Sequence, residues 1–340
     1  MHFDFSFEQS TLADSVGRFL RSLPPVTNSA PYPYAPGKVL AGLAELGLFG
    51  ESGEGSPLGY ADAVAVAIEA GRTIVAAPAL EAIAIAVSLS RSRTELAARL
   101  AAGEVPGVAI DGCLVRRGTQ LSGEAVVTHG QAADFLFVPV AGQGGRDWLL
   151  LDPSLSTMTP VDTLDVTAAV TRARIDGLSA PVADNGVDAA AMDRSLRLLA
   201  LAEIVGAADA CLVRTVAYIS ERRQFGKPIG SYQAVKHMAA DCAVSLEAMK
   251  AAVEYAGWAL DTANDDATAA EEAALALWSA ASYVGAHGRR IAERCVQMHG
   301  GIAFTWDYGL HVPLRRILFR TAMLVGVRDG REDLAAHLID

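Results

Sequence analysis

Glu221-Arg-Arg-Gln-Phe-Gly-Lys-Pro-Ile-Gly-Ser-Tyr-Gln-Ala-Val-Lys-His237 separates two long segments, rich in Ala and Leu, that carry a helical period. Gly226, Pro228 and Gly230 interrupt what would otherwise run on as helix, because proline has no amide to donate and glycine holds helix poorly. The stretch predicts a corner between two helices, an αα-hairpin, with Arg222 and Arg223 closing the first and Gln233 opening the second. Cations suit a helix C-terminus, where unpaired carbonyls gather partial negative charge. That accounts for the arginines as structure. Their company, Phe225 at the turn and Gln233 just beyond it, asks for more.

Outward from the corner, residues 188–220 place Met192, Leu196, Leu199, Ile204, Ala207, Cys211 and Leu212 on overlapping apolar faces of one long helix. Residues 232–262, 267–300 and 314–323 read as three more helices, with a short turn at 334–338. Four helices with short connections pack as a bundle. Toward the N-terminus, Phe3, Phe5, Phe7, Leu12, Val16, Phe19 and Leu20 form a helical stripe, and the prolines between Pro24 and Pro36 impose an extended loop. Helices are predicted over 37–49, 59–90 and 92–103, with Glu69 and Arg72 as a surface i,i+3 pair. From Pro106 the period changes. Val108–Ile110, Cys113–Val115, Ala125–Val127, Phe135–Val138 and Trp148–Leu151 are short apolar runs punctuated by Gly, Asp and Pro, which is a strand pattern. The fold class is mainly α with a small middle β-domain: helices over 1–105, strands over 106–185 and a C-terminal four-helix bundle over 186–340.

The corner Arg222-x-x-Phe225-Gly226…Gln233 resembles the Arg-x-x-Phe-Gly…Gln signature of the acyl-CoA dehydrogenase family. A second segment, Gln297-Met-His-Gly-Gly-Ile-Ala303, is similar to that family's Gln-x-x-Gly-Gly-x-Gly pattern, with Ala303 in place of the last glycine. The two lie about 70 residues apart, the spacing two long bundle helices give. The resemblance implies FAD as cofactor. Arg222 and Gln233 are expected to reach its phosphate and ribose portion and Phe225 to pack nearby. Gln297, His299, Gly300 and Gly301 are expected to approach the FAD of a neighbouring subunit.

Family chemistry takes a proton from the acyl α-carbon while hydride leaves the β-carbon, so a carboxylate must stand beside the thioester. The usual position falls in Thr321–Val327, which holds no acid, and an alternative position on the first bundle helix is Leu196. Glu203, two turns further along that helix, is a weak candidate base. Arg197 matches a substrate-binding position. The Thr/Ser and Trp segments with which the family's β-domain holds the flavin ring are missing, and the chain runs directly through Ala109–Cys113 where the loop belongs.

The expectation is therefore a base-lacking subunit of a heteromeric acyl-CoA dehydrogenase, similar to paired actinobacterial subunits for steroid or other bulky acyl-CoA side chains. A second acyl-CoA dehydrogenase-like chain would supply the base, and an electron-transfer flavoprotein or similar acceptor would take the electrons. Two other readings stay open: a homo-oligomeric flavoenzyme using Glu203 or another acid, and a scaffold that binds no FAD.

Bulk properties narrow the class. A net charge of -11 disfavours nucleic acid. Mean hydropathy is +0.27, yet no apolar run reaches the roughly 18 residues of a membrane span. The N-terminus shows neither a basic region nor an apolar one of the kind that directs export, which predicts a cytoplasmic protein. Cys113, Cys211, Cys242 and Cys295 lack metal-ligand spacing.

Overall fold

The architecture comes from a computed structural model, in which residues 4–24, 35–49, 58–89, 95–142, 145–179, 187–263, 266–325 and 335 are described. In chain order the helices are α1 (Phe7–Ser22), α2 (Pro36–Glu45), α3 (Tyr60–Thr73), α4 (Ala79–Ser88), α5 (Glu95–Ala101), α6 (Ala189–Glu221), α7 (Gln233–Thr262), α8 (Ala267–His299) and α9 (His311–Arg320). The strands are β1 (Pro106–Arg117), β2 (Gln120–Thr128), β3 (Phe135–Gly142), β4 (Gly145–Leu151), β5 (Thr157–Val161), β6 (Val170–Ser179), β7 (Arg223–Gln224) and β8 (Lys227–Pro228). The predicted turn at 334–338 lies outside the described residues apart from Ala335.

The chain forms two compact units, one of Met1–Tyr32, Tyr60–Val75 and Arg197–Asp340, the other of Pro33–Gly59 and Ala76–Leu196. The helices expected over 1–105 thus divide: α1 and α3 belong with the bundle, and α2, α4 and α5 with the sheet.

In the first unit, Ser6 starts α1 with a capping box, its hydroxyl taking the Gln9 amide at 3.2 Å while the Gln9 side chain takes the Ser6 amide at 2.9 Å. Asp261 of α7 caps α3 from outside, accepting the Tyr60 and Ala61 amides at 2.7 and 2.8 Å. α7 and α8 pack along each other. α3 and α6 cross with backbones in contact: a Cβ on Gly71 would stand closer than 3.0 Å to the Glu203 carbonyl oxygen, and one on Gly206 as close to that of Ile68. Glycine is there because nothing larger fits.

Glu69 and Arg72 do pair, but not as a surface pair. The Glu69 carboxylate is buried and also takes Arg21 at 3.0 Å, while Arg72 goes on to Asp209 at 2.6 Å, so the network ties α1, α3 and α6. The single helix expected over 59–90 is two helices. Ile74 has φ +52 and Pro78 precedes α4, and together they end α3 and restart the chain. Positive φ at a β-branched residue is a real outlier, and Val75 shows what it serves below.

In the second unit the strand order is β4-β3-β1-β2-β6-β5, with β1 and β3 parallel and the other pairs antiparallel. Val108–Ile110 and Cys113–Val115 are not separate strands: both lie in β1, which passes through a bulge where the register shifts between Ala109 and Asp111. Gly112, at φ +76, absorbs the kink. This bulge is all that stands where the family's flavin-ring loop was expected. Phe135, Leu136, Phe137 and Leu114 fill the core, and Trp148 stacks on Phe137 at 5.2 Å.

Candidate functional site

The corner is an αα corner with a two-residue β-hairpin at its tip. α6 closes when the Arg222 amide bonds the Tyr218 carbonyl at 2.8 Å, and the ribbon begins when the Ile229 amide bonds the Arg222 carbonyl at 2.8 Å. β7 pairs with β8 through Arg223 with Pro228 and Gln224 with Lys227, leaving Phe225 and Gly226 as the loop. Their φ values are +51 and +83, the signature of a tight hairpin turn that favours Asn-Gly. The Tyr232 hydroxyl donates to the Gln224 carbonyl at 3.1 Å, and Lys227 lies 4.3 Å over the Tyr232 ring.

Phe225 is doubly out of place. It occupies a left-handed conformation that costs a side-chain-bearing residue about 1–2 kcal/mol, and it is 93% exposed. Neither packing nor backbone geometry explains a phenylalanine here, and unexplained strain of this kind gathers at binding sites. Phe225→Asn is therefore expected to stabilise the chain by about 1 kcal/mol, read as a higher urea midpoint. A lower midpoint would show that the ring contributes to the fold. Arg222 and Gln233 are likewise exposed, beside this tip in sequence.

The second segment closes α8. Gly300, at φ +67 and ψ -146, occupies a region open essentially to glycine alone. A Cβ built on Gly300 or Gly301 meets nothing within 4 Å, so both present bare backbone to open space. Gln297 is exposed. His299 is 4% exposed, and its Nδ1 bonds the Cys295 carbonyl at 2.8 Å, while its buried Nε2 has no hydrogen-bond partner among the described residues. A buried polar atom without a partner costs about 1–3 kcal/mol. Burial lowers the His299 pKa, the bond to the Cys295 carbonyl pulls part of the way back up, and the positive Arg214 adds a smaller push down.

Three rings join the two segments. Tyr218, one turn before Arg222, stacks on His299 at 4.4 Å, and its hydroxyl lies 3.4 Å from the His299 carbonyl. Tyr308 meets the His299 ring at 5.2 Å and carries Arg214 5.1 Å over its face, with the guanidinium also donating to the Tyr308 carbonyl at 2.7 Å. Sequence reading missed Arg214, Tyr218 and Tyr308. The one available signal was Tyr218 standing a helical turn before Arg222.

Glu203 lies elsewhere in the bundle. It is 1% exposed and both oxygens are engaged, one by Arg316 and one by Arg320, each at 2.5 Å. Arg316 also donates to the Val75 carbonyl at 3.3 Å, and the strained Ile74 turns that carbonyl toward it. Arg197 is half-buried and makes no ion pair among the described residues. Leu196 is buried. Burial raises the thiol pKa of Cys211, and that of Cys295 up to about 12, so neither is a nucleophile at neutral pH. The described residues contain no metal-binding group of three or more ligands and no helix long and apolar enough to cross a membrane.

The exposed arginine of the corner and the bare backbone of Gly300 and Gly301 match the features by which the sequence resembles a flavin-dependent dehydrogenase. Residues 190–334 match the family model described as acyl-CoA dehydrogenase, C-terminal domain. The chain is 34% identical over 259 residues to acyl-CoA dehydrogenase IpdE2 of Mycobacterium tuberculosis, covering 75% of this chain and 71% of that protein. It is 34% identical over 286 residues to acyl-CoA dehydrogenase FadE34 of the same organism, a match to 82% of this chain but only 39% of that longer protein. Among solved structures, one from the ChsE4-ChsE5 complex of M. tuberculosis aligns with a TM-score of 0.80 at 20% identity, covering 100% of this chain and 99% of that one. A steroid acyl-CoA dehydrogenase structure, Tcur3481-Tcur3483, aligns with a TM-score of 0.76 at 23% identity over 98% and 97% of the two chains. The chain belongs to the acyl-CoA dehydrogenase family.

Proposed function

We propose that this chain is the base-lacking subunit of a heteromeric, FAD-dependent acyl-CoA dehydrogenase that forms a trans-2-enoyl-CoA from a steroid side chain or another bulky acyl-CoA. The observation that carries the reading is a contrast within one helical bundle. The residues at the family's cofactor positions, Arg222, Phe225, Gln233, Gln297, Gly300 and Gly301, stand exposed, whereas the bundle's candidate base, Glu203, is held by two guanidiniums.

FAD supplies the hydride acceptor when bound. Arg222 offers charge-assisted hydrogen bonds to its phosphates, Gln233 bonds the ribose portion, Phe225 packs beside it, and the glycine pair admits it against bare backbone. Arg197, with no ion pair of its own among the described residues, takes the substrate. The base comes from the partner subunit. Exposed Val213, Val216, Val244, Phe304 and Trp306 on the first unit support a subunit contact there. The similar ChsE4-ChsE5 complex and Tcur3481-Tcur3483 steroid enzyme each pair two differently named chains, which favours a hetero-oligomer. An electron-transfer flavoprotein-type acceptor and a cytoplasmic location complete the proposal.

The test is the visible spectrum of the chain purified alone and co-expressed with an acyl-CoA dehydrogenase-like protein encoded beside it, challenged with a steroid side-chain acyl-CoA. A flavin band that bleaches only in the co-purified complex is the expected result. Turnover by the chain alone would show that it holds its own base. Flavin in neither sample would leave a scaffold.

A further inference from the structure

His299 carries an atom, Nε2, that none of the described residues uses. A carbonyl oxygen only accepts, so the 2.8 Å contact between His299 Nδ1 and the Cys295 carbonyl requires the proton on Nδ1. In the neutral ring Nε2 then holds a lone pair. The charged or titratable side chains facing the ring among the described residues are Arg214 and Tyr218 from α6 and Tyr308 from the turn before α9, with Cys295 facing it from α8 through its carbonyl. Burial opposes a second proton on the ring, the Cys295 carbonyl partly favours it, and Arg214 opposes it more weakly.

We infer that His299 Nε2 is a hydrogen-bond acceptor for the bound cofactor, and that it takes a hydroxyl or N–H of the sugar, ribityl or ring portion and not a phosphate oxygen. This rests on the FAD reading above and adds the polarity of one contact. A phosphate oxygen brings no proton at neutral pH, so lone pair would face lone pair. The polarity separates the labour of the two segments: Arg222 suits phosphate, and His299 a donor group. Access is the remaining requirement, because Nε2 is screened from water. Admitting the donor therefore requires residues 300–310, where only Ala303 and Leu310 are buried, to shift and the Tyr308 contacts with His299 and Arg214 to be remade.

The test is FAD titration of the deflavinated complex, followed by flavin fluorescence, for wild type, His299→Phe and His299→Gln. His299→Phe keeps a ring for Tyr218 and removes the acceptor. It should weaken FAD roughly tenfold while the flavin-free protein melts no lower, since an orphaned polar atom has gone. His299→Gln restores an acceptor oxygen near the Nε2 position and should recover most of the affinity. In wild type the affinity should fall as pH drops through the pKa of His299, which burial holds below the ordinary imidazole value, because a protonated Nε2 becomes a donor facing a donor, and His299→Gln should remove that dependence.

Equal FAD affinity in wild type and His299→Phe, or wild-type and His299→Gln pH profiles that coincide down to the acid limit of folding, overturns the inference. So does a His299→Phe variant that loses subunit assembly with its flavin affinity intact, which places the donor on the partner. Wild-type complex that takes up no flavin overturns the FAD reading itself, and is distinguished because it precedes any variant. If His299→Phe fails to fold, the wild-type and His299→Gln pH profiles decide.

Discussion

Glu203→Gln is expected to cost about 3–5 kcal/mol of stability, the usual effect of removing one member of a buried ion cluster. The reason lies in what remains. Arg316 and Arg320 are buried, and each places a nitrogen 2.5 Å from a Glu203 oxygen. A neutral amide removes the charge that both guanidiniums share and offers an N–H toward one of them. The urea midpoint should drop sharply. Replacing all three by apolar residues of similar size should recover much of the loss, because the cluster's attraction largely offsets its desolvation. The same variant tests Glu203 as a base. A clamp predicts lower stability and unchanged turnover per folded complex, whereas a base predicts a stable protein with no turnover.

Gly206→Val is expected to cost about 3 kcal/mol or more and to loosen the first unit. Even one carbon on Gly206 falls within 3.0 Å of the Ile68 carbonyl oxygen and the Arg72 amide, which are backbone and cannot rotate aside. The α3 and α6 helices must move apart, and two ionic assemblies depend on their separation: Glu69 with Arg72 and Asp209, and Glu203 with the α9 arginines. Loss of side-chain order with helix content retained, seen as near-ultraviolet against far-ultraviolet dichroism, is the expected signature. A midpoint equal to wild type would mean that the crossing is not close-packed in solution.

The long helices were legible because their signal is local. α6, α7 and α8 begin and end within a few residues of the positions their period predicts, and the switch to strands at Pro106 is read from the same kind of pattern. What escaped was set at long range or against propensity. No rule of turn chemistry would put phenylalanine at the first loop position of a tight hairpin, or isoleucine at φ +52 to end a helix. The partners of Glu203 lie 113 and 117 residues away in sequence, so spacing along its own helix identified an acid of the right type and gave no sign that it was already held. At the candidate site, the arginine, glutamine and glycines came from a linear pattern. The stacked Tyr218 and Tyr308, which bring the two segments together, belong to tertiary structure.

The distance from Glu203 to its arginines also sets a timetable for biosynthesis. The second unit has all its residues once position 196 has been made, and its sheet can form while the ribosome is still working. Glu203 then waits for Arg320, 117 residues later, which at 5–20 residues per second is roughly 6–23 s of translation. During that interval α6 is present without the helix that neutralises it, and α1 and α3 have their bundle partners only in part. A nascent chain stalled before α9 should therefore carry a folded sheet joined to a protease-sensitive helical half, a natural client for holding chaperones until its last helix emerges.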